Sequence, residues 1–393
     1  MRSARILACL FVFCLMTARA IYSEDVLTPV LASPLVPQTY AVPGTDNKQH
    51  IVYELVITNS GSATATLEKI EVVSGDASQR VLATFEGDAL MKRLANVGRG
   101  EVKSAQIEFT GSRLFLVDFT MDKDVRPPAV LMHRFHVLAA GPPGSPKDLA
   151  VEQSYTIAPI PLSTDITVLG PPLSGKEWVA FNGCCEAGGA HRGSGLPVNG
   201  QMHYAQRFAI DWMQLNSEKR VYRGDGKSVK DYEDYGAKAI AVADGVVVDT
   251  ESELEGQIPG NLPDPKTINI QNVDGNHIVI DLGHGKYAFY AHFQKGSLLV
   301  AKGDHVKRGQ ALALVGNTGN SSAPHLHFHL MDGASVLGSS GLPYVMDHFD
   351  VVGQLSNKQF QATGIDGEWG KDLSAQPSRR TLEFPMDLTV VDF

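Results

Sequence analysis

Between Pro324 and Leu330 the chain reads PHLHFHL, with His325, His327 and His329 at every second position and Leu326, Phe328 and Leu330 between them. A period of two is the period of a β-strand, whose side chains point alternately to opposite faces. One face of such a strand is wholly apolar and suits a core. The other carries three imidazoles in a row and needs a reason to do so, of which a bound metal ion is one. Taken alone the pattern is weak, because a purely structural site would look the same.

The rest of the chain is written in the same short-strand grammar. From His50, IVYELVITN is rich in β-branched residues and ends in the turn residues Asn59-Ser60-Gly61. ATLEKIEVVSGD repeats the design, and QIEFT, RLFLVDFT and VLMHRFHVLA follow at short intervals. This spacing predicts an immunoglobulin-like β-sandwich within residues 21–160, after an extended, proline-bearing lead-in. His133 and His136 lie three apart on one predicted strand, face opposite ways and are read as structural. GPPGSPKD, 141–148, is expected to be a loop of this sandwich. The segment 161–178 reads as a linker. Beyond it, AIAVADGVVVDT, HIVIDLGHG, KYAFYAHF and QALALVG are again short strands separated by Gly and Asp-Gly turns, which defines a second unit over 179–345. The remainder, 346–393, carries apolar clusters and is expected to pack on one unit or the other. The fold class is therefore mainly β, a sandwich followed by an antiparallel sheet.

Residues 1–20 have the layout of a signal peptide. Arg2 and Arg5 precede an apolar run from Ile6 to Ala18, and Ala18-Arg19-Ala20 offers small residues for cleavage after Ala20. The run is shorter than the roughly 20 residues a membrane span needs; a retained N-terminal anchor is the alternative. No later segment is long and apolar enough to span. The expectation is an exported protein, periplasmic or extracellular. Removing the three arginines of the leader takes the formal net charge from −9 to −12. That balance, with no basic cluster, gives no sign of a nucleic-acid partner. Two of the four cysteines leave with the leader, so the mature chain keeps the adjacent pair Cys184-Cys185 and has no disulfide framework. That pair could form a vicinal disulfide or stand as two small residues in a glycine-rich loop.

Histidine is concentrated. Three of the 13 lie in 21–160 and the other ten in 191–348, the distribution expected of a metal or catalytic site in the second unit. A hydrolytic zinc site usually has three protein ligands and one open position, and a carboxylate commonly joins the imidazoles. Asp211 is the strongest acidic candidate, because it stands among Phe208, Ala209, Ile210 and Trp212 and an unpaired buried carboxylate is costly. His203 precedes it by eight residues.

These segments resemble the M23 metallopeptidases, the lysostaphin and LytM-type cell-wall endopeptidases. The likeness runs over roughly 196–332 and rests on AIAVADGVVV (239–248), GNHIVIDLGHGKYAFYAHF (275–293) and VKRGQALALVGNTGNSSAPHLHFHL (306–330). The resemblance implies one Zn2+ per chain, with His203, Asp211 and His327 as metal ligands and His292 and His325 as catalytic residues. It implies a zinc metalloendopeptidase acting on peptidoglycan stem peptides or cross-bridges, through a water made acidic by zinc. The chain departs from the common family spacing, His-x-x-x-Asp: Arg207 stands four residues before Asp211. His203 is therefore assigned as the first ligand and His191, in GGAHRGSG, is kept as the fallback. His329 stands where the family usually has an acidic residue and is placed beside the site.

The competing function is a non-catalytic, M23-like protein that binds the cell wall or activates another hydrolase; retention of the ligands and both catalytic histidines speaks against it. A metal-binding structural protein is a third reading. His277, His284 and His305 are read as surface groups, Trp212 as core and Arg207 as a structural ion-pair partner. Two polar insertions, 215–238 with Tyr222, Tyr232 and Tyr235, and 250–274, follow strands near the predicted site. They are expected to wall a groove, with plain surface loops as the alternative.

Overall fold

The computed structural model describes residues 25–98, 100–141, 146, 149–356 and 373–393. The leader and its cleavage site, and most of 141–148, lie outside the described residues. The regular structure of the described residues is nearly all strand; one short helix, Gly87–Met91, and one 3-10 turn, Val229–Asp231, are its helical elements.

The first strands form a ten-stranded sheet. Lys48–Asn59 is paired along its length with Ser112–Asp122, and Val130–Ala140 lies between Ala65–Ser74 and Ala150–Ser163. Inward residues of both groups, among them Ile51, Tyr53, Phe115, Ile70, Phe135 and Val137, meet in one apolar cluster. That arrangement is compatible with the predicted sandwich. His133 is fully buried in it, with Tyr53 Oη 2.6 Å from its Nε2 and its Nδ1 donating to Ala158 O at 2.7 Å. It is a satisfied core histidine.

A second sheet, of eleven strands, carries the histidines. In its middle run Tyr287–Ala291, Leu326–Met331, Ile210–Gln214 and Trp178–Phe181, each antiparallel to the next. The alternation predicted for PHLHFHL holds. Leu326, Phe328 and Leu330 join Ile210, Trp212, Trp178 and Tyr290 in the largest apolar core, and all seven are essentially inaccessible. Burying a side chain of this size contributes roughly 1.5–3 kcal/mol, which fixes the register: a slip by one residue would turn the whole row of imidazoles into that core. The C-terminal residues complete this sheet. Thr389–Asp392 pairs with Trp178–Phe181 on one side and Phe349–Gln354 on the other. They also reach the first sheet, where Phe384 N donates to Pro43 O at 2.7 Å.

Candidate active site

The register that buries the apolar face also sets the opposite face. Asp211 and His327 are directly cross-strand neighbours, and on its other side His327 faces Ala291. Asp211 Oδ1 lies 2.9 Å from His327 Nδ1. The other two atoms of this pair are occupied. Asn182 Nδ2 donates to Asp211 Oδ2 at 2.8 Å, and His327 Nε2 lies 2.9 Å from His329 Nδ1. His329 is fully buried and its Nε2 has no partner.

The third member arrives from a loop. His191, between Trp178–Phe181 and Leu196–Val198, has its Nδ1 2.8 Å from Asn182 O and 3.2 Å from Ala209 O. A nitrogen between two carbonyls must carry the proton and donate. This leaves Nε2 to face Asp211 Oδ1, 3.3 Å away. The ligand atoms of His191, Asp211 and His327 all lie within 4.8 Å of one another. Ligands about 2.1 Å from a tetrahedral ion stand roughly 3.4 Å apart, so two imidazole nitrogens and a carboxylate oxygen, each with its far atom held by the protein, fit a small divalent cation.

His203 is not part of this arrangement. It ends the Gln201–His203 strand, paired with Leu196 in a small hairpin, and belongs to neither of the two groups of potential ligands found among the described residues, His191, Asp211 and His327 or His292, His325 and His327. The chain between it and Asp211 is committed elsewhere. Tyr204 is buried against Leu114 and Leu116, its carbonyl accepts from Gly341 N at 2.9 Å, and Arg207 is held in an ion pair with Glu54. The segment after His203 is thus tied down away from Asp211, and it is His191, the fallback candidate, that the structure places beside Asp211 and His327. Loop composition was the available signal, since a histidine flanked by Gly188, Gly189, Gly193 and Gly195 can approach a sheet closely.

His292 and His325 stand beside the trio, with ring centroids 4.6 Å apart. His325 immediately precedes its strand; its Nδ1 is 2.8 Å from Ala323 O, and its Nε2 is 3.4 Å from Asp211 Oδ1. His292 follows a strand whose last residue, Ala291, already faces His327, so simple alternation would send it to the core. A φ of +70° breaks that alternation, a conformation uncommon outside glycine and favoured at functional sites. The ring is fixed by its Nδ1 on Thr318 O at 2.7 Å. Thr318 is pinned in turn, because Gly319 and Gly275 pass so closely that a Cβ at Gly319 would lie 2.3 Å from Gly275 N.

The charges interlock. Burial pushes Asp211 up, but His191 and His325 outweigh it and hold the carboxyl well below the usual carboxylate range. Burial draws His191 and His325 down, and Asp211 more than compensates, so both sit above the ordinary imidazole value. Burial takes His327 down to about 4, and burial with neighbouring imidazoles takes His292 and His329 well below their usual range. Neutral imidazoles are the form that ligates a metal and accepts a proton.

A cleft of about 590 Å³ opens over these residues. Both insertions contribute to its walls, Tyr222 and Tyr232 from the first, Leu262, Val273 and Asp274 from the second. His277 bonds Gly275 O and lies outside the cleft lining, and His284 and His305 are exposed. Trp212 is core, as read.

Residues 228–337 match the family model described as peptidase family M23. His292, His325 and His327 fall inside the matched segment; His191 and Asp211 precede it. Peptidoglycan DD-endopeptidase ShyA from Vibrio cholerae is 46% identical over 57 residues, 14% of this chain, and the match spans only 13% of that relative's length. Among solved structures, the catalytic domain of lysostaphin from Staphylococcus simulans is 23% identical over 42% of this chain and 88% of that one, with a TM-score of 0.24. A zinc-containing peptidase from Vibrio cholerae is 14% identical over 75% of this chain and 82% of that one, with a TM-score of 0.25. On its sequence match, the chain carries a peptidase M23 domain at residues 228–337.

Proposed function

We propose that the chain is an exported zinc metalloendopeptidase that hydrolyses peptide bonds in the stem peptides or cross-bridges of peptidoglycan. The observation that carries this reading is the convergence of His191 Nε2, Asp211 Oδ1 and His327 Nδ1 under an open cleft walled by His292 and His325. One zinc per chain would be held by those three residues. Bound zinc supplies Lewis acidity, which acidifies a water and polarises the carbonyl to be attacked.

The proton work falls to the chain's own residues. His292 and His325 each commit Nδ1–H to a backbone carbonyl and so present Nε2 to the cleft. His292 is held neutral by burial and its imidazole neighbours, which suits it to accept the proton of the attacking water. His325 is favoured in its protonated form by Asp211, which suits it to stabilise the developing oxyanion or protonate the departing amine. Opposite shifts in two neighbouring titratable groups are the pattern of an acid–base pair.

The substrate class is supported by the segment similar to DD-endopeptidases and by a cleft of about 590 Å³ over the site with residues of both insertions in its walls. Export is supported by the leader at 1–20, and the catalytic unit is taken as 179–345, preceded by the sandwich of 21–160. The deciding experiment incubates the purified mature chain with purified peptidoglycan, with and without a chelator, and identifies the released fragments by mass spectrometry. New peptide termini that vanish with chelator and return with zinc are expected; intact sacculi under every condition would sink the proposal.

A further inference from the structure

We propose that Glu54, on a strand of the first sheet, is a positioning residue for the metal centre of the second. This rests on the reading of His191 as a ligand. Two of the three ligands, Asp211 and His327, lie on hydrogen-bonded neighbouring strands, and the ladder alone fixes their separation. His191 belongs to a loop and has no ladder. The next residue, Arg192, leaves that loop and enters the first sheet. Its guanidinium pairs with Glu54 Oε1, and its Nη2 donates to Tyr53 O at 2.9 Å and Val117 O at 3.2 Å. Arg207 closes the other side of the same carboxylate, with Nε 3.0 Å from Oε1 and Nη2 2.5 Å from Oε2. Glu54 is fully buried, and the two arginines are 2% and 5% exposed.

The loop is also seated by apolar contact, Ala187 and Tyr204 packing on Leu114 and Leu116 of the first sheet. The first sheet is thus the floor on which the ligand-bearing loop stands, and Glu54 is its fastening. Without that carboxylate, two buried guanidiniums would face each other unpaired, and relief comes by lifting Arg192, and His191 with it, out of the interface. A ligand displaced by even a fraction of an ångström weakens a metal site. Loss of a residue that orients a ligand typically costs about 10–100-fold in metal affinity.

The test uses the full mature chain, with zinc affinity read by chelator competition and thermal midpoint read alongside. Arg192→Met and Glu54→Gln are expected to weaken zinc binding about 10–100-fold. Arg207→Met strips one guanidinium from the same carboxylate but leaves the Arg192–Glu54 bond, and is expected to change zinc affinity by less than about threefold while lowering the thermal midpoint. If Glu54→Gln does not fold, Arg192→Lys serves, because it keeps the charge while losing the bonds to Tyr53 O and Val117 O. It is expected to fall between wild type and Arg192→Met. Saturating zinc should restore peptidoglycan hydrolysis in the folded Arg192 variants. Wild-type affinity in Arg192→Met, or equal losses in Arg192→Met and Arg207→Met that track the thermal midpoint, overturns the inference while leaving the ligand assignment standing. A wild-type chain that takes up no zinc overturns that assignment and the inference together.

Discussion

Replacing His191 by alanine should nearly abolish metal binding, whereas replacing His203 should leave it almost unchanged. In the structure His191 Nε2 is 3.3 Å from Asp211 Oδ1, and its Nδ1 is anchored on Asn182 O and Ala209 O. Free energies of roughly 10–16 kcal/mol for four-ligand structural zinc sites give about 2.5–4 kcal/mol per ligand, or roughly two to three powers of ten in affinity. The remaining pair, Asp211 and His327, would hold an ion through one oxygen and one nitrogen and leave two positions open. His203 lies on a hairpin opposite Leu196, so His203→Ala should cost less than about threefold. Both variants would be titrated with zinc against a chelator of known affinity at neutral pH, with far-UV circular dichroism confirming the fold. Zinc release by His203→Ala together with full retention by His191→Ala would refute the geometric assignment.

Asp211→Ala and His327→Ala should likewise lose zinc, while His292→Ala and His325→Ala keep it and lose at least about a hundredfold in turnover, the usual scale of a lost proton-transfer group; metal stoichiometry and hydrolysis rate, measured on the same preparations, separate the two classes. His329→Ala leaves the Nε2 of His327 without its partner at 2.9 Å, and should weaken zinc binding about tenfold or more, as losing a ligand-orienting group does; unchanged affinity by the same competition titration would remove His329 from the site. Burial raises the fully buried Asp234 well above the usual carboxylate range, and its Oδ1 has no partner. Because the folded value lies above the unfolded one, folding takes up a proton, so the carboxyl does not weaken the fold below about pH 4 and weakens it progressively as pH rises. Asp234→Asn should therefore raise the thermal midpoint at pH 7 more than at pH 4, and a gain that shrinks as pH rises would contradict the sign.

The parts of this site that could be read from the chain are those a ladder dictates. The alternation in PHLHFHL fixes which side chains share a face, because Leu326, Phe328 and Leu330 have a core to fill. Asp211 is legible for a related reason: Ile210 and Trp212 on either side point into that core and turn the carboxylate to the opposite face, beside His327. His292 was reachable only through the resemblance of its Tyr-Ala-His segment. Its backbone departs from alternation, and nothing in YAHF announces a φ of +70°.

Sequence nearness pointed to His203, whereas the structure groups His191 with Asp211 and His327, and the cause is physical. Between His203 and Asp211 the chain spends Tyr204 and Arg207 on the first sheet, so eight residues do not buy a direct path. The same contacts explain how His191 comes to lie beside Asp211 from twenty residues away. Arg192, its neighbour, pairs with the carboxylate that holds Arg207, so both ends of the excursion are tied to Glu54 and the loop between them is closed. A partner 138 positions upstream of Arg192 leaves no local trace in spacing or periodicity. Glu54 stands in IVYELVITN as one charged residue in a β-branched run, where the period-two reading offers only a choice of face. Its burial at the junction of the sheets is what turns that residue into a constraint on the metal centre, and only tertiary packing supplies it.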